Sequence, residues 1–173
     1  MSLGLYLHIP YCFSKCRYCD FYSHPGERGV PEAYVDALLR ELSRFAPEAP
    51  LQPDTLYFGG GTPSLLRPEQ AKQLIDAARP MPGAEITLEA NPETVTEESL
   101  AGFREAGVNR ISFGVQSARD TQLRTLGRPH TAKQARAAFA AARRAGFANI
   151  SGDIMLALPH YTERKEREAL CKA

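Results

Sequence analysis

Short apolar runs alternate with longer amphipathic segments along the chain. Leu5–Ile9 (LYLHI) reads as a first strand. From Pro31 to Phe45, Tyr34, Val35, Leu38, Leu39 and Leu42 recur at helical spacing. Thr55–Phe58 (TLYF) is a second strand, ended by three glycines, and Pro68–Ala78 is a helix with Pro68 in the first turn, where its missing N–H costs nothing. Glu85–Glu89 (EITLE) is a third strand. Thr96 is placed to cap the next helix and Gly107 to stop it. Arg110–Val115 is a fourth strand, alanine-rich Ala132–Ala145 a helix stopped by Gly146, and Asn149–Leu156 a fifth strand.

Five strands, each of the first four followed by helix, predict an α/β fold with a parallel sheet and helical crossovers. Tight curvature would turn that sheet into a partial barrel. After Leu156-Ala-Leu-Pro159 the chain becomes HYTERKEREALCKA, a charged tail with no sixth strand. The expected division is therefore a domain over 1–159 and a truncated or aberrant tail over 160–173.

Composition excludes more than it selects. The 173 residues suit one domain with a sizeable core. A net charge of +1 gives no reason to expect nucleic acid or an acidic partner. The N-terminus lacks the basic start and apolar stretch of a signal peptide, and no apolar run approaches the ~18 residues of a membrane span. The expected location is cytoplasmic.

The cysteines change the picture. Three of the four lie in CFSKCRYC, as Cys12, Cys16 and Cys19, directly after the first strand. In a reducing compartment such a cluster points to metal rather than disulfides. A structural zinc site wants four ligands, and His24 could complete a Cys3His set for a zinc-stabilised binding module. A [4Fe–4S] cluster held by three cysteines would instead keep one iron open to a small molecule. Tyr11, Phe13, Tyr18 and Phe21 could shelter either.

Other strand ends carry polar groups. Gly59-Gly-Gly-Thr-Pro63 bares backbone to a ligand, yet fits neither phosphate-binding glycine pattern. Glu89 ends strand three and Gln116 strand four. Arg128, in LGRPH, could take a carboxylate with two parallel hydrogen bonds. Asp153 lies among apolar neighbours in strand five and would need a partner. Read alone, each has an ordinary structural explanation, and His130 is given no role. Together they place a candidate ligand group at successive strand ends, where a βα barrel builds its site.

C-x3-C-x2-C with Tyr18 before the third cysteine resembles the radical S-adenosylmethionine (SAM) superfamily. That resemblance implies a partial (β/α)6 barrel, represented here by about five units. It also implies a [4Fe–4S] cluster whose open iron binds SAM for reductive cleavage to methionine and a 5′-deoxyadenosyl radical. YLHIPYCFSKCRYCDF, GGGTPS, EANPE, RISFGVQS, LGRPH and DIMLALP are similar, over about residues 3–159, to the oxygen-independent coproporphyrinogen III oxidase group. The similarity is closer to its haem-chaperone branch. The resemblance implies cluster ligation by Cys12, Cys16 and Cys19. It implies SAM contacts from Tyr6, Tyr18, Gly60, Gly61, Thr62, Glu89, Gln116, Arg128 and Asp153. Haem or porphyrin is the implied further partner of the full-length parent.

Two departures matter. The oxidases carry a further cysteine two residues after the third; here that position is Phe21, which weighs against oxidative decarboxylation of coproporphyrinogen III. Family members also run to roughly twice this length and continue LAL with Pro-Gly, where this chain has Pro159-His160. Cys171 inherits no role.

Overall fold

Alternation along each strand separates an apolar face from a polar one, and the fold follows from covering the first. The computed structural model describes residues 3–45, 51–158 and 164. The main sheet contains β1 (Gly4–Ile9), β4 (Thr55–Gly60), β5 (Glu85–Ala90), β6 (Arg110–Gln116) and β7 (Asn149–Ile154). They are parallel and lie in chain order, β1-β4-β5-β6-β7. Between β1 and β4, two-residue segments β2 (Tyr11–Cys12) and β3 (His24–Pro25) pair with each other.

Leu7, Ile9, Leu56, Phe58, Leu88, Ile111 and Phe113 point to one face and form the core. Helices α1 (Glu32–Phe45), α2 (Pro68–Ala78), α3 (Glu97–Ala106) and α5 (Ala132–Arg144) supply its other half, through Val35, Leu42, Leu74, Leu100, Phe103, Ala138 and Ala142. The opposite sheet face is polar. Register sets Tyr6 beside Tyr57, Tyr57 beside Thr87 and Thr87 beside Arg110. Arg110 donates there to Thr87 and Ser151.

The helix ends behave as their sequences predict. Thr96 Oγ1 accepts from Ser99 N at 3.1 Å, and Gly107 takes the left-handed conformation that stops α3. Three expectations need correction. The fifth strand ends at Ile154 rather than Leu156, where Met155 N donates to Gln116 O at 3.0 Å and turns the chain. Asp153 is exposed rather than enclosed by apolar groups, because β7 is an edge strand among the described residues. A helix not foreseen, α4 (Asp120–Leu126), follows β6. The tail over 160–173, including Cys171, lies outside the described residues except for Arg164. Among the described residues no helix is long and apolar enough to cross a membrane.

Candidate functional site

All the C-terminal ends of a parallel sheet in chain order face the same way, so the segments following them share one rim. A cavity of about 150 Å³ lies there. Cys12, Cys16, Tyr18 and Cys19 enter it from the first crossover, and Gly60, Gly61 and Thr62 from the end of β4. Glu89, Gln116, Arg128 and Asp153 also line it. Tyr6 does not line it. Its ring stacks on Tyr57 with centroids 6.0 Å apart, beneath the glycines.

Packing explains the glycines. A Cβ on Gly61 would stand 2.7 Å from Tyr11 O and 3.0 Å from Cys12 Sγ, so bare backbone is needed where β4 meets the cysteine loop. Gly60 has φ +115°, and a Cβ there would stand 2.7 Å from the His8 imidazole. His8 Nε2 donates to Tyr22 O at 3.0 Å, which leaves Nδ1 to accept from Tyr6 Oη at 3.2 Å. His8 thereby ties the far end of the cysteine loop to β1. The other side of the loop rests on the turn after α4, where Arg17 N donates to Leu126 O at 3.1 Å.

Glu89 accepts from Tyr57 Oη at 2.8 Å and Gly60 N at 3.3 Å. Burial nevertheless pushes its carboxyl above the usual range, with those two bonds opposing. Tyr57 is pushed up by burial and by its bond to Glu89. Tyr18 is pushed up to about 12, chiefly by burial. Asp153 accepts from Ser112 Oγ at 3.4 Å. Gln116 has φ +64°, a left-handed backbone at a β-bulge, the kind of local strain that gathers at ligand sites.

Arg128 is only 9% exposed. Nη1 donates to Cys16 Sγ at 3.3 Å, and Nη2 to Asn91 Oδ1 at 2.6 Å and Gly114 O at 2.7 Å. Its Nε is buried without a hydrogen-bond partner among the described residues. Burial disfavours the charged guanidinium, but Tyr18, Cys16 and Glu93 outweigh it and hold the guanidinium more firmly protonated than usual. Glu93 Oε2 lies 3.0 Å from His130 Nδ1, and His130 Nε2 is 3.1 Å from Val115 O. His130 is therefore a buried bracket between Glu93 and β6.

Sequence reasoning missed His8, Tyr57, Asn91, Glu93 and α4. The hydrogen-bond partners of the Tyr57, Asn91 and Glu93 side chains lie 29 or more residues away, and strand alternation hinted only at His8 and Tyr57.

The donor set fits a cluster better than a mononuclear metal. The three thiols share one cavity and are free. Thr62 Oγ1 donates to Cys12 Sγ at 3.6 Å, so two of the three sulfurs receive hydrogen bonds suited to thiolates. Among the described residues no three His, Cys, Asp or Glu side chains converge to hold a single ion. A cubane asks each thiolate to reach a different iron. His24, needed for a Cys3His set, packs against Tyr11 and Tyr22 and does not line the cavity.

Comparison with known proteins agrees with this geometry. The radical SAM superfamily profile matches residues 6–172. Heme chaperone HemW of Escherichia coli K12 is 43% identical over 163 residues, covering 91% of this chain and 43% of that protein. Radical S-adenosyl methionine domain-containing protein 1, mitochondrial, of Bos taurus is 41% identical over 164 residues, covering 90% and 36%. The chain thus spans less than half the length of these relatives. Among solved structures, the coproporphyrinogen III oxidase HemN of Escherichia coli, a radical SAM enzyme, aligns with TM-score 0.88 at 29% identity. That alignment covers 99% of this chain and 41% of the other. The chain belongs to the radical SAM superfamily, and among its relatives it is similar in sequence to the HemW heme chaperones.

Proposed function

We propose that Cys12, Cys16 and Cys19 hold a [4Fe–4S] cluster and that the adjoining cavity binds SAM, in a protein that handles haem. The chemistry such a cluster supplies is one-electron reduction of SAM. The chain's residues divide the remaining work. Arg128 presents a buried cation to the amino acid carboxylate. Gly60 and Gly61 let backbone approach the ligand, and Thr62 offers a hydroxyl beside them. Glu89, Gln116 and Asp153 offer acceptors to the amino group and ribose. Tyr18 and Phe21 screen the thiols from water.

The observation that carries this reading is the Arg128 guanidinium, bonded to a cysteine sulfur and holding an unpartnered buried Nε beside the same cavity. A buried donor without a partner costs about 1–3 kcal/mol, a cost a bound anion would remove. The haem-transfer role rests on the relatives called heme chaperones.

The test is iron and sulfide analysis after anaerobic reconstitution, with electron paramagnetic resonance of the reduced chain. The expected result is about four irons per chain and a spectrum that changes on adding SAM. One zinc without iron would return the site to a binding module. Arg128→Lys should keep the iron but weaken the response to SAM, because an ammonium lacks the planar fork for a carboxylate.

A second reading, oxidative decarboxylation of coproporphyrinogen III, draws on the likeness to HemN. Anaerobic turnover to protoporphyrinogen tests it, and Phe21 in place of the oxidases' further cysteine weighs against it.

A further inference from the structure

Asn91 follows directly on β5, and its side chain is a junction. Oδ1 accepts from Arg128 Nη2 at 2.6 Å, and Nδ2 donates to Thr62 Oγ1 at 3.1 Å. A guanidinium can only donate. The amide oxygen must therefore face Arg128, which aims the amide hydrogens at Thr62. The Thr62 oxygen accepts one of them, leaving its own hydrogen for another acceptor. Cys12 Sγ, 3.6 Å away, is that acceptor. Thr62 is 2% exposed, so bulk water does not compete. The same guanidinium donates directly to Cys16 Sγ at 3.3 Å. One cation thus polarises two thiols, one directly and one through an amide and a hydroxyl.

Gly114 is shaped around this junction. A Cβ there would stand 3.0 Å from Asn91 Oδ1 and 3.2 Å from Arg128 Nη2. Asn91 is held from behind as well, since its N–H donates to Ser64 Oγ at 3.4 Å. The amide has one orientation that satisfies its neighbours, and that orientation ends on sulfur.

Resting on the cluster reading above, we infer that Asn91 is a positioning residue that holds a donor hydrogen on Cys12 through Thr62 and so raises the reduction potential of the cluster. Hydrogen bonds to ligating sulfur stabilise the more negative, reduced state. Bonds in a chain strengthen one another. A role confined to packing would change stability or iron content and leave the potential where it was.

The experiment compares wild type, Asn91→Ala, Thr62→Val, the double variant and Thr62→Ser, all reconstituted anaerobically. Iron and sulfide are measured first. The potential then comes from a redox titration followed by electron paramagnetic resonance without SAM. Asn91→Ala and Thr62→Val should keep their iron. Each should lower the reduced-to-oxidised ratio at a fixed potential by about tenfold, equivalent to about 59 mV for a one-electron couple. The double variant should fall no further than Asn91→Ala, because the two residues act in series, and Thr62→Ser should match wild type. Unchanged potentials in loaded variants, or strictly additive shifts, overturn the inference. Where Asn91→Ala loses its cluster, Thr62→Val decides: a shift supports the inference and no shift overturns it. A wild-type chain that takes up no cluster overturns the cluster reading and this inference together; a loaded wild type with unshifted variants overturns this inference alone.

Discussion

Two half-buried carboxylates near the cavity have opposite effects on stability. Glu93 is pushed up by burial, but its bond to His130, its backbone bond and the nearby Arg128 together hold it below the usual carboxylate range. The unfolded chain therefore binds the proton more readily than the native one, and the charged form stabilises the fold. That contribution is complete above the ordinary carboxylate value of about 4.3 and is lost as pH falls through the depressed one. Glu93→Gln should lower the melting temperature at pH 7, and the gap to wild type should close below about pH 4. Glu89, raised by burial, runs the other way. Its charged form costs stability at neutral pH, so Glu89→Gln should melt higher than wild type while losing its response to SAM. An equal or lower melting point would contradict that account. Residues whose placement depends on a strand end were readable from sequence, since position alone puts Glu89 and Gln116 on the rim. Asn91 was not. Its meaning comes from Thr62, 29 residues away, and Arg128, 37 residues away, and no local pattern encodes either.

Elements were legible where periodicity and caps agreed. Helix α3 begins and ends at Thr96 and Gly107, and its end signals are complete. Helix α4 escaped because seven residues with only Leu123 and Leu126 as apolar positions do not establish a period. Yet it supplies the shelf under the cysteine loop, through Leu126 O and the turn at Gly127, whose φ is +73°. Two substitutions separate element stability from site assembly. Thr96→Ala removes a cap that bonds Ser99 and does not line the cavity, and should cost about 1 kcal/mol in denaturant unfolding while iron uptake stays at the wild-type level. Gly61→Ala should do the reverse. Its Cβ meets Tyr11 O and Cys12 Sγ, so iron loading should collapse while far-ultraviolet circular dichroism stays near that of wild type. Equal loss of loading in both variants would mean that the loop is not held as described.

At the scale of the whole molecule the sheet divides labour between its faces. The helix-covered face carries the stability. Phe58 is fully buried in it, and Phe58→Ala should cost about 3–5 kcal/mol in a single cooperative transition. The polar face and the rim carry the cavity and the three thiols. Alternation of strand and helix was enough to anticipate a parallel sheet, because parallel neighbours need a crossover. The exposure of Asp153 was not anticipated, because an edge is a property of the sheet and not of the strand. Ligand linkage belongs to this scale too. In the cluster-loaded chain, SAM at a hundred times its dissociation constant should add about 2.7 kcal/mol to the unfolding free energy; an equal gain in the apo chain would place binding elsewhere.

The bond between Arg128 and Cys16 joins residues 112 positions apart. On a ribosome adding about 5–20 residues per second, the cysteines are made roughly 5–20 s before the arginine that braces them. The shelf at Leu126 is equally late. Throughout that interval the cysteine loop has its contacts to His8 and Thr62 but lacks those to Leu126 and Arg128. Chain order therefore sets an order of assembly: the pocket around the three cysteines is finished only after β6 and α4 have docked.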